Sequence, residues 1–140
     1  DPMREYSFPY REESSRAFSR IARPVIEVSL RQRQQSGKWV KVFPYADSGA
    51  DFSLFPKGIC RLLGLQLKAG QRSQIQGVGG KAAAVYLPTV EMRIGETSFK
   101  ARVGFSASER VPYLLGRLDV LDHFDIRFEK DKVCFIERED

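Results

Sequence analysis

From residue 25 onward the chain is cut into short apolar or alternating runs, each closed by glycine, proline or a charged turn. That punctuation leaves room for short strands and little else. Val25, Glu27 and Ser29 fall on one side of an extended segment, and Ile26, Val28 and Leu30 on the other. Residues 39–43 come after a polar stretch with Ser36-Gly37 as its turn, which makes a hairpin. Pro44 places the next residues at an edge or bend. Residues 73–76 and 82–87 flank the glycines at 77–80, a second hairpin with a flexible tip. Residues 89–94 and 99–105, turned by Gly95, make a third, and 125–128 with 133–136 a last. Two short helices are expected, over residues 56–64 with Gly64 as the stop and over 116–124. The expected fold is mostly β and barrel-like.

A chain of 140 residues suits one core. Its hydrophobic fraction of 42% and charged fraction of 29% are ordinary for a globular domain. No apolar run approaches the roughly 20 residues of a membrane helix, so a membrane is not an expected partner. Residues 1–20 carry charges of both signs without an apolar centre, unlike a secretory signal. A cytoplasmic location is the default expectation. The net charge of +5 is concentrated early, at Arg4, Arg11, Arg16, Arg20, Arg23, Arg31 and Arg33. Glu5, Glu12 and Glu13 are interspersed, so residues 1–23 read as a solvated, irregular N-terminal arm rather than a nucleic-acid surface. One helical stretch is expected there, over residues 14–21, and residues 24–140 form the domain proper. Cys60 and Cys134 lie in apolar surroundings and read as buried reduced thiols. With these two cysteines and one histidine, His123, a zinc site lacks parts, and no metal is expected. His123 itself reads as a surface or partly packed position.

Three strings carry chemistry. Asp47-Ser48-Gly49-Ala50-Asp51 ends an apolar strand in a turn that Gly49 can tighten. Gly77-Val78-Gly79-Gly80-Lys81-Ala82 fits the dinucleotide pattern G-x-G-x-x-A, yet residues 83–87 read as a strand stopped by Pro88, where that pattern needs an amphipathic helix. No Ser or Thr comes after Gly80-Lys81, so it is not a P-loop either. Val111-Pro112-Tyr113-Leu114-Leu115-Gly116-Arg117 then runs into Leu121-Asp122-His123-Phe124-Asp125-Ile126-Arg127-Phe128. In this order the three resemble the catalytic segment, the flap, and the closing strand and helix of retropepsin-like aspartic proteases, over about residues 24–128.

The resemblance implies a retropepsin-type acid protease barrel with a flap hairpin, and an aspartic endopeptidase as its function. Such hydrolysis needs two carboxylates sharing one proton, because like charges at about 3 Å cannot both ionise. The chain holds one Asp-Ser-Gly, at Asp47, so the dyad would join two copies in an isologous homodimer. Ser48 would hydrogen-bond across the dimer axis, and Gly49 would offer its carbonyl to the substrate. Ala50 fills the position after that glycine, where alanine is usual. Arg117 would form a buried ion pair with Asp51 that braces the loop. Ile75, Gly77, Val78, Gly79 and Gly80 would form the flap, closing over an extended peptide. Ile75, Val78, Val111, Pro112 and Leu114 would wall the side-chain pockets. No metal or organic cofactor is implied.

Departures from the family pattern are Phe52, where some viral relatives have a polar residue, and the less uniformly apolar Pro44-Tyr45-Ala46. In viral relatives the terminal strands make the dimer sheet; here residues 133–136 either join one or cap the barrel. An alternative function is a catalytically silent peptide-binding or dimerisation module. A further alternative is nucleic-acid binding through the basic arm.

Overall fold

The computed structural model describes residues 4–32, 37–68, 70–76 and 82–138. The N-terminal segment differs from the irregular arm expected of it. It holds β1 (Glu5–Pro9), β2 (Arg11–Ser14) and β3 (Arg20–Arg23). In β1 the half-buried Tyr6 and Phe8 pack on the core while Glu5, Ser7 and Pro9 face out, the period-two pattern of a strand. β2 and β3 pair from Arg11↔Arg23 to Ser14↔Arg20. The helix expected over 14–21 is absent because the Ser15 hydroxyl accepts the amides of Ala17 and Phe18, both at 3.3 Å, and turns the chain there.

β4 (Val28–Gln32) and β5 (Val40–Val42) form the expected first hairpin. β6 (Tyr45–Ala46) leads into Asp47, and β7 (Leu54–Pro56) leaves that loop for α1 (Lys57–Leu62). Pro56 stands at the N-cap of α1, and Gly64 takes the left-handed φ of 75° beyond its end. β8 (Gln71–Gln76) and β9 (Ala82–Leu87) pair from Gln71↔Leu87 to Gln76↔Ala82, the expected second hairpin. Its tip, residues 77–81, lies outside the described residues. β10 (Thr89–Ile94) and β11 (Thr97–Arg102) turn through Gly95 and Glu96. The strand expected over 99–105 is broken in two, because β12 (Gly104–Ser106) leaves β11 for another sheet.

β13 (Leu114–Leu115), β14 (Phe124–Phe128) and β15 (Lys132–Glu137) complete the chain, the last two as the expected hairpin. The helix expected over 116–124 shrinks to turns and one 3-10 turn, Leu121–His123. Asp119 causes the break: its φ of 62° leaves the helical region. Arg102 holds it there, with the guanidinium on both carboxylate oxygens at 2.7 and 3.1 Å and the backbone amide on one of them at 3.0 Å.

Among the described residues the strands form open sheets in the orders β6-β13-β7-β12-β9-β8, β11-β10-β4-β5, β1-β15-β14 and β2-β3, rather than one closed barrel. Phe55, Phe105, Phe124 and Phe135 are fully buried and share one cluster with Ile26, Leu30, Met92, Ile94 and Leu115. Each such side chain contributes about 1.5–3 kcal/mol on burial. Cys60 and Cys134 are buried free thiols, as expected, and burial pushes the Cys60 thiol up. His123 is exposed and stacks on Phe99, with ring centroids 4.2 Å apart. No helix among the described residues is long and apolar enough to cross a membrane.

Candidate active site

The loop at residues 47–53 is held by a strand that arrives from far along the sequence. β13 inserts between β6 and β7, parallel to the first through Leu114↔Tyr45 and Leu115↔Ala46, and antiparallel to the second through Leu114↔Leu54. The ladder runs on past β6, for the Asp47 amide donates to the Leu115 carbonyl at 2.9 Å. Asp47 therefore leaves the sheet with its backbone still fixed.

Its own side chain then shapes the turn. Asp47 Oδ1 accepts the Gly49 amide at 3.0 Å, and the Ala50 amide donates to the Asp47 carbonyl at 3.1 Å. An aspartate is suited to this because its short carboxylate can mimic a backbone carbonyl in a turn. The far side of the loop is tied back to the segment after β13. The Arg117 amide donates to the Ala50 carbonyl and the Leu118 amide to the Asp51 carbonyl, each at 2.9 Å. Asp47 is half-buried, while Ser48 and Gly49 are exposed at the crest. The arrangement presents one fixed carboxylate beside an exposed hydroxyl, with no hydrogen-bond partner on its second oxygen among the described residues.

Ser53 and Gly116 escaped the sequence reading as structural partners. Ser53 is fully buried, and its hydroxyl accepts the Gly116 amide at 3.0 Å while its carbonyl accepts the Gly104 amide at 2.7 Å. A Cβ on Gly116 would come within 2.3 Å of the Phe52 carbonyl carbon, so only glycine lets the two segments approach this closely. A small residue at a strand end is the signal, and Gly116 in the 111–117 run carries it.

Arg117 differs from expectation. Its guanidinium is not buried against Asp51; it is 62% exposed and lies 3.7 Å from Asp122. The bracing of the loop comes from the Arg117 backbone instead, and Asp51 faces solvent. The physical reason is the turn after Arg117, in which the Asp122 amide donates to the Arg117 carbonyl at 3.0 Å and so brings the Asp122 carboxylate beside the Arg117 side chain.

Of the expected pocket walls, Val111 and Leu114 are half-buried and pack with Phe52 and Leu118 on a small cluster of Leu54, Val85 and Leu87. Pro112 is exposed. The backbone of Ile75 pairs with Ala83. Gly77, Val78, Gly79 and Gly80 lie outside the described residues. Upstream, the Tyr45 hydroxyl donates to the Glu13 carboxylate at 2.8 Å, a contact of the N-terminal hairpin that the sequence did not suggest. That bond, with burial and the Glu13 charge, holds the Tyr45 hydroxyl's pKa above its ordinary value.

No family model matches the sequence, and no curated protein matches it. Among solved structures the chain is similar to a retropepsin-like aspartic protease from Rickettsia conorii. That match is 19% identical with a TM-score of 0.65 and covers 93% of this chain and 97% of the other. An inhibitor complex of EIAV protease is also similar, at 22% identity and a TM-score of 0.48, covering 68% of this chain and 82% of the other. With β13 threaded between the two strands that flank the Asp47 loop, and the likeness to the Rickettsia protein running nearly end to end, the chain has a retropepsin-like aspartic protease fold.

Proposed function

We propose that the protein is an aspartic endopeptidase whose water-activating dyad is Asp47 and its mate from a second copy. The observation that carries this reading is the placement of Asp47: a half-buried carboxylate at the end of β6, fixed through its amide by Leu115 and through one oxygen by Gly49. A fixed carboxylate meeting its symmetry mate would share one proton with it. The ionised member takes a proton from water, which attacks the scissile carbonyl. The protonated member donates to the developing oxyanion, and the pair then returns a proton to the leaving amine. The two apparent pKa values belong to the pair.

A peptide would lie extended between the loop and the β8–β9 hairpin, held by main-chain hydrogen bonds, with apolar side chains against Val111, Pro112 and Leu114. The exposed Ser48 would contact its mate at the axis. A cytoplasmic setting fits the reduced thiols of Cys60 and Cys134.

The test is cleavage of a mixed peptide library from acidic to neutral pH by the wild type and by Asp47→Asn. Products from the wild type alone support the dyad. A dimeric wild type that binds peptides and cleaves none overturns it in favour of a silent peptide-binding module.

A further inference from the structure

The sheet β11-β10-β4-β5 turns Val28, Leu30, Val42, Met92 and Ile94 into the core, which leaves the alternate residues on its outer face. Across that face Ser98 stands opposite Arg93, Arg93 opposite Ser29, and Ser29 opposite Lys41, one row over four strands. These four residues, with Glu27 and Glu96, line a cleft of about 580 Å³. Gly95 adds no side chain to it, and Phe8 supplies an apolar wall. The cleft shares no residue with the Asp47 loop.

Two groups in the cleft are fixed yet unpartnered. Ser29 is 9% exposed, and its hydroxyl has no hydrogen-bond partner among the described residues. A hydroxyl so buried is costly unless something bonds to it. The Arg93 guanidinium lies 4.4 Å from the Trp39 ring centroid, and no carboxylate pairs with it among the described residues. Arg31, on the same ring at 4.3 Å, differs in that Glu91 accepts from it at 3.0 Å. Lys41 and Glu27 are 3.9 Å apart and more than half exposed, a pair too long and too wet to close off either charge.

A simple anion in this cleft would face Glu27 and Glu96, and a simple cation would face Arg93 and Lys41. A ligand carrying both charges answers both. Two positions along an extended chain span about 6.4–6.8 Å, which is the spacing of Glu27 from Ser29. An α-amino acid bears its ammonium and carboxylate on one carbon and, with about 2.8 Å to a partner at each end, bridges groups about 8 Å apart. The long side chains of Glu27 and Arg93 cover the difference. We propose that this cleft binds a free α-amino acid with an apolar side chain. Its carboxylate rests on Arg93 and the Ser29 and Ser98 hydroxyls, its ammonium on Glu27 and Glu96, and its side chain on Phe8. Arg93 suits the carboxylate because its fork gives two parallel donors, and the Trp39 ring holds that fork in place. The site stands apart from the proposed peptidase site and does not depend on it.

Trp39 is the one tryptophan of the chain, so its emission reports on the guanidinium groups stacked against it. Titration with L-leucine, which does not itself absorb there, should change that emission saturably, and calorimetry should find one site per chain. N-acetyl-L-leucine lacks the ammonium and L-leucinamide lacks the carboxylate; each should bind at least about tenfold more weakly. Glu27→Gln should weaken L-leucine and leave N-acetyl-L-leucine unchanged, and Arg93→Gln should weaken L-leucine and leave L-leucinamide unchanged. Asp47→Asn should bind L-leucine as the wild type does. Should Arg93→Gln fail to fold, Glu27→Gln, at an exposed position, carries the test. The proposal is overturned if millimolar L-leucine leaves Trp39 emission unmoved, or if either one-charge analogue binds as tightly as the amino acid. It is equally overturned by a Glu27→Gln protein that binds L-leucine as the wild type does, or by loss of binding in Asp47→Asn, which would assign the ligand to the peptidase groove.

Discussion

The Tyr45 hydroxyl donates to the Glu13 carboxylate at 2.8 Å, which ties the N-terminal hairpin β2–β3 to the strand that ends at Asp47. Glu13 also receives Arg23 at 3.2 Å, and that guanidinium sits 5.7 Å from the Tyr45 ring centroid. Hydrogen bonding to an anionic acceptor favours the protonated phenol. Glu13→Gln should therefore bring one tyrosine's titration down toward its ordinary range, read by tyrosinate absorbance. The stability change should stay near 1 kcal/mol, because the pair is partly solvated. An unchanged titration curve would show that the contact does not hold in solution.

The approach of Gly116 to Phe52 is tighter than any side chain allows. Gly116→Ala would set its Cβ 2.3 Å from backbone atoms, and those atoms belong to the loop that carries Asp47. Forcing the segments apart should cost about 1–3 kcal/mol or more and disturb the bond to Ser53 as well. Ser53→Ala removes only the acceptor and leaves the Gly116 amide buried without a partner, at about 1–3 kcal/mol. Urea denaturation separates the two. A Gly116→Ala protein as stable as the wild type would contradict the packing described.

What could be read from residue order is what depends on near neighbours. The Asp47 turn was legible because aspartate followed by glycine at a strand end has few ways to satisfy its backbone, and the observed Gly49 bond is one of them. The hairpins at 28–42, 71–87 and 124–137 were legible because their partners are consecutive in the chain. β1 was not, since Tyr6 and Phe8 gain their burial only against β15 at the far end of the chain. The helix over 116–124 failed because Asp119 is claimed by Arg102, a partner on another strand. The spacing of charges likewise could not say whether Arg117 would face Asp51 or Asp122.

Asp119 makes the fold sensitive to acid in a definite direction. Its carboxylate is held below the usual range, first by the Arg102 side-chain hydrogen bond and further by the Arg102 backbone amide and charge, with burial opposing. A depressed folded-state pKa means the stabilisation is full above the unfolded value, about 3.9. It fades as pH falls through the folded value. Asp119→Asn, which still tolerates the left-handed φ, should lower the melting temperature at neutral pH. The gap to the wild type should narrow below about pH 4. A gap that stays constant with pH would remove the ion pair as its source.

Arg117 gives the sharpest contrast between side chain and backbone. A buried Arg117–Asp51 pair would make Arg117→Ala cost about 3–5 kcal/mol, because one charge would be stranded. The observed guanidinium is mostly exposed beside an equally exposed Asp122, so the substitution should cost no more than about 0.5–1 kcal/mol in the separated chain. The loop would keep its brace, since the Arg117 amide bond to Ala50 survives any side chain except proline. Arg117→Pro should therefore be the damaging change, releasing the far side of the Asp47 loop while Arg117→Ala does not. Hydrogen exchange at the residue 117 amide in Arg117→Ala and at the residue 118 amide in both variants, alongside urea denaturation, checks this. A large loss of stability in Arg117→Ala, measured where the protein is monomeric, would restore the buried pair.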